Sequence, residues 1–172
     1  MSDEKILLTA DRFRVARCQR VLANGSMHER EVIRHPGSVV IVPRLPNDQI
    51  CLIKNFRISV DQPLIELPAG TLEANEAPLA CARRELIEET GYSAGTIEQL
   101  TSFYAAPGIL DEMMHLFVAD ALVEGQPSRE VGEEIDNLLL PLPKAISMIG
   151  SGEICDAKTI VGLLWCQQFQ SG

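Results

Sequence analysis

Polar and apolar positions alternate through the opening of the chain and then gather into denser apolar runs. Arg12-Phe13-Arg14-Val15-Ala16 has the two-residue period of a strand. Asn24-Gly25 is a hairpin turn signal, and residues 28–33 supply the returning strand. A small antiparallel sheet is therefore predicted before Pro36-Gly37. Ser38 to Leu45 and Gln49 to Arg57 read as two strands joined by a turn at Pro46-Asn47-Asp48. Leu64 to Leu67 is a short strand running into Pro68-Ala69-Gly70. Residues 78–90 read as a helix, with Pro78 suited to its first turn, Gly91 to its C-terminal end, and Leu79, Ala82 and Leu86 as its core-facing stripe. Thr96 to Ala106 and Met113 to Val123 are two more strands, and Leu138 to Leu140 is a brief apolar run. Two helices close the chain, from Pro143 to about Ile149 and from Asp156 to Phe169. Asp156 would cap the second, with Ile160, Leu163, Leu164 and Trp165 as its buried stripe. Strands, helix, strands, helices in that order predict an α+β layered domain.

Composition narrows the classes. The length of 172 residues suits one domain, and 46% hydrophobic residues provide for a real core, which excludes disorder as the main state. The formal net charge of −9 argues against a nucleic-acid grip built on basic surface. An anionic substrate would need positive charge supplied locally, for example by a bound divalent cation. Five cysteines, an odd number with no CxxC pair, argue against a disulfide framework or zinc knuckle and fit free thiols in a reducing cytoplasm. No apolar run approaches the ~20 residues of a membrane span, and the start Met-Ser-Asp-Glu-Lys lacks a signal-peptide core.

The chemistry concentrates between Gly70 and Tyr92. On the predicted helix Glu85, Glu88 and Glu89 stand at i, i+3 and i+4, which groups three carboxylates on one face. Unpaired they would repel one another; together they suit hard cations such as Mg²⁺ or Mn²⁺. Arg84 lies beside them and can orient a carboxylate through a bidentate pair. A solvated acidic helix face would account for a Glu-Glu pair, but not for the glycines and the arginine placed around it.

The order Gly70, five residues, Glu76, seven residues, Arg84-Glu85-Leu86, one residue, Glu88-Glu89, one residue, Gly91-Tyr92 resembles the Nudix box at every fixed position. The resemblance implies a Nudix hydrolase, cleaving a nucleoside diphosphate linked to another moiety. It implies an α/β/α sandwich with a mixed central sheet, to which residues 1–37 add the small antiparallel sheet ahead of a Nudix domain at 38–172. It also implies that Glu85 and Glu89 are the principal metal ligands, that Glu88 binds a further ion directly or through water, and that Ala69 lends its backbone carbonyl. Arg84 would orient the carboxylates and Glu76 would act structurally.

The flanks are similar to those of ADP-ribose pyrophosphatases. Pro107 follows Gly91 by sixteen residues within Phe103-Tyr104-Ala105-Ala106-Pro107-Gly108, and Glu66-Leu67-Pro68-Ala69-Gly70, Asn55-Phe56-Arg57 and Arg34-His35-Pro36-Gly37 match as well. The chain departs from that group at Ile58 and Ile109, two positions that bear on an adenine-stacking surface and not on the metal centre. The resemblance puts the general base in the loop after the strand ending near Val123, where Glu133 fits the pattern and Glu134 is the alternative; Glu130 shares the loop. Arg57, Glu66, Pro107, Gly108 and Glu112 are candidate substrate contacts, with Arg57 suited to a phosphate or the terminal ribose. The implied reaction is metal-dependent hydrolysis of ADP-ribose to AMP and ribose 5-phosphate. Other nucleoside diphosphate sugars or dinucleotides are alternative substrates, and a non-catalytic ADP-ribose sensor is the alternative class. The expected partner is a small-molecule nucleoside diphosphate sugar, with no nucleic acid and no membrane. A homodimer is implied, with the N-terminal sheet of one subunit completing the partner's site.

Overall fold

The computed structural model describes residues 4–129 and 134–169. Three strands open the chain: β1 (Glu4–Thr9), β2 (Arg14–Val21) and β3 (Met27–Arg34), paired antiparallel in the order β1-β2-β3. The β2–β3 turn closes through Asn24-Gly25, with Gly25 at φ +80, where glycine carries no steric cost. Backbone bonds between Ile33 and residues 109 and 111, of 2.8 and 3.1 Å, tie β3 to the loop after Pro107.

The main sheet holds β4 (Ser38–Leu45), β5 (Gln49–Arg57), β6 (Gln62–Glu66), β7 (Ala69–Thr71), β8 (Tyr92–Tyr104), β9 (Met113–Glu124) and β10 (Ile135–Pro141). Its path is β10-β5-β4-β9-β8, with β6 on β5 and β7 on β4. β4 and β9 run parallel and the other pairs antiparallel, so the sheet is mixed. β4 meets β5 only at their hairpin end, where Arg44 and Leu45 face Ile50 and Gln49. At its other end Ser38, Val39 and Val40 pair with Thr71, Gly70 and Ala69, and Ile41 N–H donates to the Pro68 carbonyl at 2.9 Å. This exchange of partners carries the Pro68-Ala69-Gly70 backbone into the middle of the sheet.

The period of β4 splits the core in two. Val39 and Ile41 face helix α1 (Pro78–Thr90) and pack with Cys51, Ala82, Leu86 and Phe117. Val40 and Val42 face helices α2 (Leu142–Ser151) and α3 (Ala157–Phe169) and pack with Leu52, Leu67, Leu116, Met148 and Leu163. The result is the expected α/β/α sandwich with a mixed sheet and a separate small antiparallel sheet. No helix among the described residues is long and apolar enough to cross a membrane.

Two helix faces differ from expectation. On α1 the buried positions are Cys81, Ala82, Leu86, Glu89 and Thr90. Leu79 lies in the first turn and is 44% exposed. On α3 they are Lys158, Thr159, Gly162, Leu163 and Cys166, while Leu164 is 43% exposed. A Cβ at Gly162 would stand 2.5 Å from Leu67 Cδ1. The helix therefore packs closely against Leu67, Leu116 and Val42 at its smallest residue.

Candidate active site

A cavity of about 370 Å³ opens between β7, α1 and the first turn of α3. Its lining includes the acidic group Glu85, Glu88 and Glu89 with Arg84, and the cations Arg12, Arg57 and Lys158. Ala69, Gly70, Ser38 and Glu112 also line it.

The acidic wall is organised by Arg84. Its Nε and Nη2 donate to the two Glu76 oxygens at 2.9 Å each, and its Nη1 donates to Glu85 at 2.7 Å and Glu88 at 2.9 Å. One guanidinium thus faces three carboxylates. The bidentate pair with Glu76 is the largest of the effects that raise the Arg84 pKa. The same pair is the main reason that the Glu76 carboxyl is pulled down to about 2.

Glu89 occupies the core-side edge of the acidic face and is buried there, accepting from the Ala69 N–H at 2.9 Å. The acidic face therefore borders the core-facing stripe of α1. Glu85 lies over Gly70: a Cβ at that glycine would come within 1.8 Å of the Glu85 carboxylate. Only a residue without a side chain leaves this carboxylate its place beside the β7 backbone.

The donor set fits a hard divalent cation: clustered carboxylate oxygens beside a strand backbone, lining one cavity. Among the described residues no three acidic, histidine or cysteine side chains stand ready as a metal cage. Glu85 and Glu88 are turned onto Arg84 and Glu89 onto Ala69, so binding an ion would exchange these hydrogen bonds for coordination.

The other candidate contacts divide. Arg57 and Glu112 reach the cavity. Glu66 does not line it; only 1% exposed, it accepts from Arg57 Nε at 2.7 Å and Nη2 at 2.6 Å and also from Lys158. Burial pushes the Glu66 pKa up, but these hydrogen bonds outweigh it and hold the group below the usual carboxylate range. Pro107 and Gly108 are exposed and lie outside the cavity lining. Glu112 accepts from the Ser38 hydroxyl and stands 3.6 Å from His35 Nδ1. Glu133 and Glu130 lie outside the described residues, whereas Glu134 is exposed just before β10.

Lys158, Ser38 and Arg12 were not anticipated. Ser38 and Arg12 carry no local signal. Lys158 does: it is the lone charge in the largely apolar stretch 157–165, a position that requires a buried partner.

The low Glu76 pKa has a pH consequence. A carboxylate depressed in the folded state adds stability above its unfolded pKa, and the contribution fades as pH falls toward the folded value. With an ordinary value of 4.5 and a folded value of about 2, the window is pH 4.5 to 2. Glu76→Gln is expected to flatten the stability-against-pH curve there, measured by urea unfolding at each pH. An unchanged slope would show that the pair contributes nothing.

A model of the NUDIX domain matches residues 34–160. The chain is 36% identical to the ADP-ribose pyrophosphatase of Bacillus subtilis over 148 residues, covering 85% of this chain and 80% of that protein. It is also 36% identical to the GDP-mannose pyrophosphatase of Salmonella paratyphi B over 156 residues, covering 84% and 81%. The crystal structure of an ADP compounds hydrolase superposes with a TM-score of 0.86 at 20% identity, covering 99% of this chain and 92% of that one, and so shares the fold. The chain belongs to the Nudix family and is a Nudix hydrolase.

Proposed function

We propose that this chain hydrolyses the pyrophosphate bond of ADP-ribose, releasing AMP and ribose 5-phosphate, with Mg²⁺ or Mn²⁺ as cofactor. The carrying observation is the bipolar cavity. Three carboxylates of one helix and the cations Arg12, Arg57 and Lys158 line the same space of about 370 Å³. A doubly charged pyrophosphate suits that division, with its anionic oxygens held between cations. The relative named ADP-ribose pyrophosphatase adds the substrate class.

In this reading Glu85 and Glu89, with the Ala69 carbonyl, hold the ions, and Glu88 holds a further one. Bound there, the cations would neutralise the pyrophosphate oxygens and acidify the attacking water. Arg84 orients Glu85 and Glu88. Arg57 grips a phosphate or the terminal ribose, Glu112 the ribose hydroxyls, and the Pro107-Gly108 loop shapes the entrance. Glu133 takes the proton from water, with Glu134 as the alternative.

A second reading is a pyrophosphatase for GDP-mannose or another nucleoside diphosphate sugar. It is favoured by the equal identity to a GDP-mannose pyrophosphatase. The exposed Ile58 and Ile109, at 88% and 57%, also leave no aromatic platform at those positions to select adenine.

Residues 1–37 are proposed to mediate a homodimer, since Leu8, Val21 and Met27 expose apolar surface on the small sheet. The five free thiols suit a reducing cytoplasm.

The test is chromatography of products from ADP-ribose, ADP-glucose, GDP-mannose, NADH, diadenosine polyphosphates and 8-oxo-dGTP, with Mg²⁺, Mn²⁺ or EDTA. Preferred, EDTA-sensitive release of AMP from ADP-ribose is expected. Preference for GDP-mannose would transfer the specificity and keep the chemistry. Binding of ADP-ribose without turnover would identify a sensor.

A further inference from the structure

Lys158 is a charged side chain held in the sandwich interior, and its surroundings give it a definite task. It stands in the first turn of α3, only 9% exposed. The helix start is fixed independently: Asp156 accepts from Thr159 N–H at 3.0 Å and from Thr159 Oγ1 at 2.6 Å. Leu67 N–H in turn donates to Thr159 Oγ1 at 2.8 Å, which pins this turn to the residue after Glu66. Lys158 Nζ thus sits between Asp156, at 3.0 Å, and Glu66.

Glu66 is shared. Its Oε1 serves Arg57 Nε, and its Oε2 serves both Arg57 Nη2 and Lys158 Nζ. The four groups balance in formal charge, two cations against two carboxylates, yet only the cations line the cavity. Arg57 Nη1 has no hydrogen-bond partner among the described residues, so the fork is held by one edge with its other nitrogen open to an anion.

We propose that Lys158 is a positioning residue: by holding the Glu66 carboxylate, it keeps Arg57 aimed into the cavity as an anion-binding fork. The inference rests on the reading of this cavity as a pyrophosphate site. Buried ion pairs seldom add net stability over apolar replacements. The cationic chain is therefore explained by what it presents to the substrate and not by the fold. Without Lys158, the buried Glu66 would have Arg57 as its remaining cationic partner, and an incoming phosphate would compete with Glu66 for the same guanidinium.

The experiment is a double-mutant cycle of Lys158→Met and Arg57→Ala, with Lys158→Arg as the conservative variant. Two quantities are read: calorimetric binding of inorganic pyrophosphate without added metal, and KM and kcat on ADP-ribose. Lys158→Met is expected to weaken pyrophosphate binding and raise KM by roughly tenfold, the size of a lost charge-assisted hydrogen bond. The kcat should change less than KM. In the Arg57→Ala background the same substitution should have little further effect, and Lys158→Arg should restore most of the binding. Additive losses in the double variant would overturn the proposal. So would a Lys158→Met protein that melts lower but binds pyrophosphate and turns over like wild type, since that defines a structural role. Wild-type protein that fails to bind pyrophosphate would overturn it too. Wild-type protein that binds pyrophosphate but does not cleave ADP-ribose would refute the proposed reaction, while the binding cycle still decides the part played by Lys158.

Discussion

Glu85→Gln is expected to reduce metal-dependent turnover by at least roughly 10³-fold, since in the proposed mechanism it removes a charged donor from an ion that stabilises the reacting phosphates. The change keeps the shape of the side chain and its place over Gly70. It also keeps an oxygen able to accept from Arg84, which now donates to Glu85 at 2.7 Å. The fold should not suffer. Glu76, Glu85 and Glu88 converge on one arginine, so without metal the loss of one negative charge relieves like-charge repulsion. The variant should accordingly melt no lower than wild type in EDTA. It should lose the rise in melting temperature that excess Mg²⁺ or Mn²⁺ is expected to give wild type by mass action on the folded state. Product release and melting curves, each with and without metal, check both parts. Turnover within about tenfold of wild type, or an undiminished metal-induced shift, would remove Glu85 from the ligand set.

What makes Glu85 a sharp prediction is also what made it legible. Glu76, Arg84, Glu85, Glu88 and Glu89 lie within one loop and helix, so their mutual placement follows from helical spacing and the punctuation of Pro78 and Gly91. The N–H of Gly91 at φ +80 closes α1 on the Ile87 carbonyl, a left-handed cap that glycine adopts without strain. The β4–β5 hairpin was readable for a similar reason, because Asn47 and Asp48 both take positive φ in its turn.

Of the cations that line the cavity apart from Arg84, only Arg57 was readable. Lys158 reaches Glu66 across 92 residues, and no local pattern encodes that approach. β1 was missed because all six of its residues are exposed, which leaves no alternation to detect. β7 was missed because three residues held by backbone pairing carry no side-chain signature. On α3 Leu163 is buried and Ile160 and Trp165 pack against the core as expected, whereas Leu164 was misplaced because a helix apolar on most sides offers no clear stripe.

Glu133→Gln is expected to cut turnover by roughly 10²–10⁴-fold with little change in folding, the contribution of a positioned general base. The described ends of its loop are fastened to the C-terminal end of α1. Ser128 N–H donates to the Glu88 carbonyl at 3.1 Å, and Arg129 Nε donates to the Glu89 carbonyl at 3.2 Å. Past the loop, Asn137 Nδ2 donates to the Thr90 carbonyl at 2.8 Å. The described residues on both sides of Glu133 are thus hydrogen-bonded to the backbone of residues 88–90, beside the carboxylates that in the proposed reading activate water. Glu134 borders Ile135, which is buried at the start of β10 and fixes that end of the loop. Glu134 itself is exposed, so Glu134→Gln should stay within about threefold of wild type if Glu133 is the base. The pH profile separates a base from a residue that only shapes the loop. Wild-type kcat/KM should rise with pH as the base loses its proton, and that rising limb should disappear in Glu133→Gln alone. Loss of the limb in Glu134→Gln instead would transfer the role by one residue. Retention of the limb in both variants would place the base outside this loop.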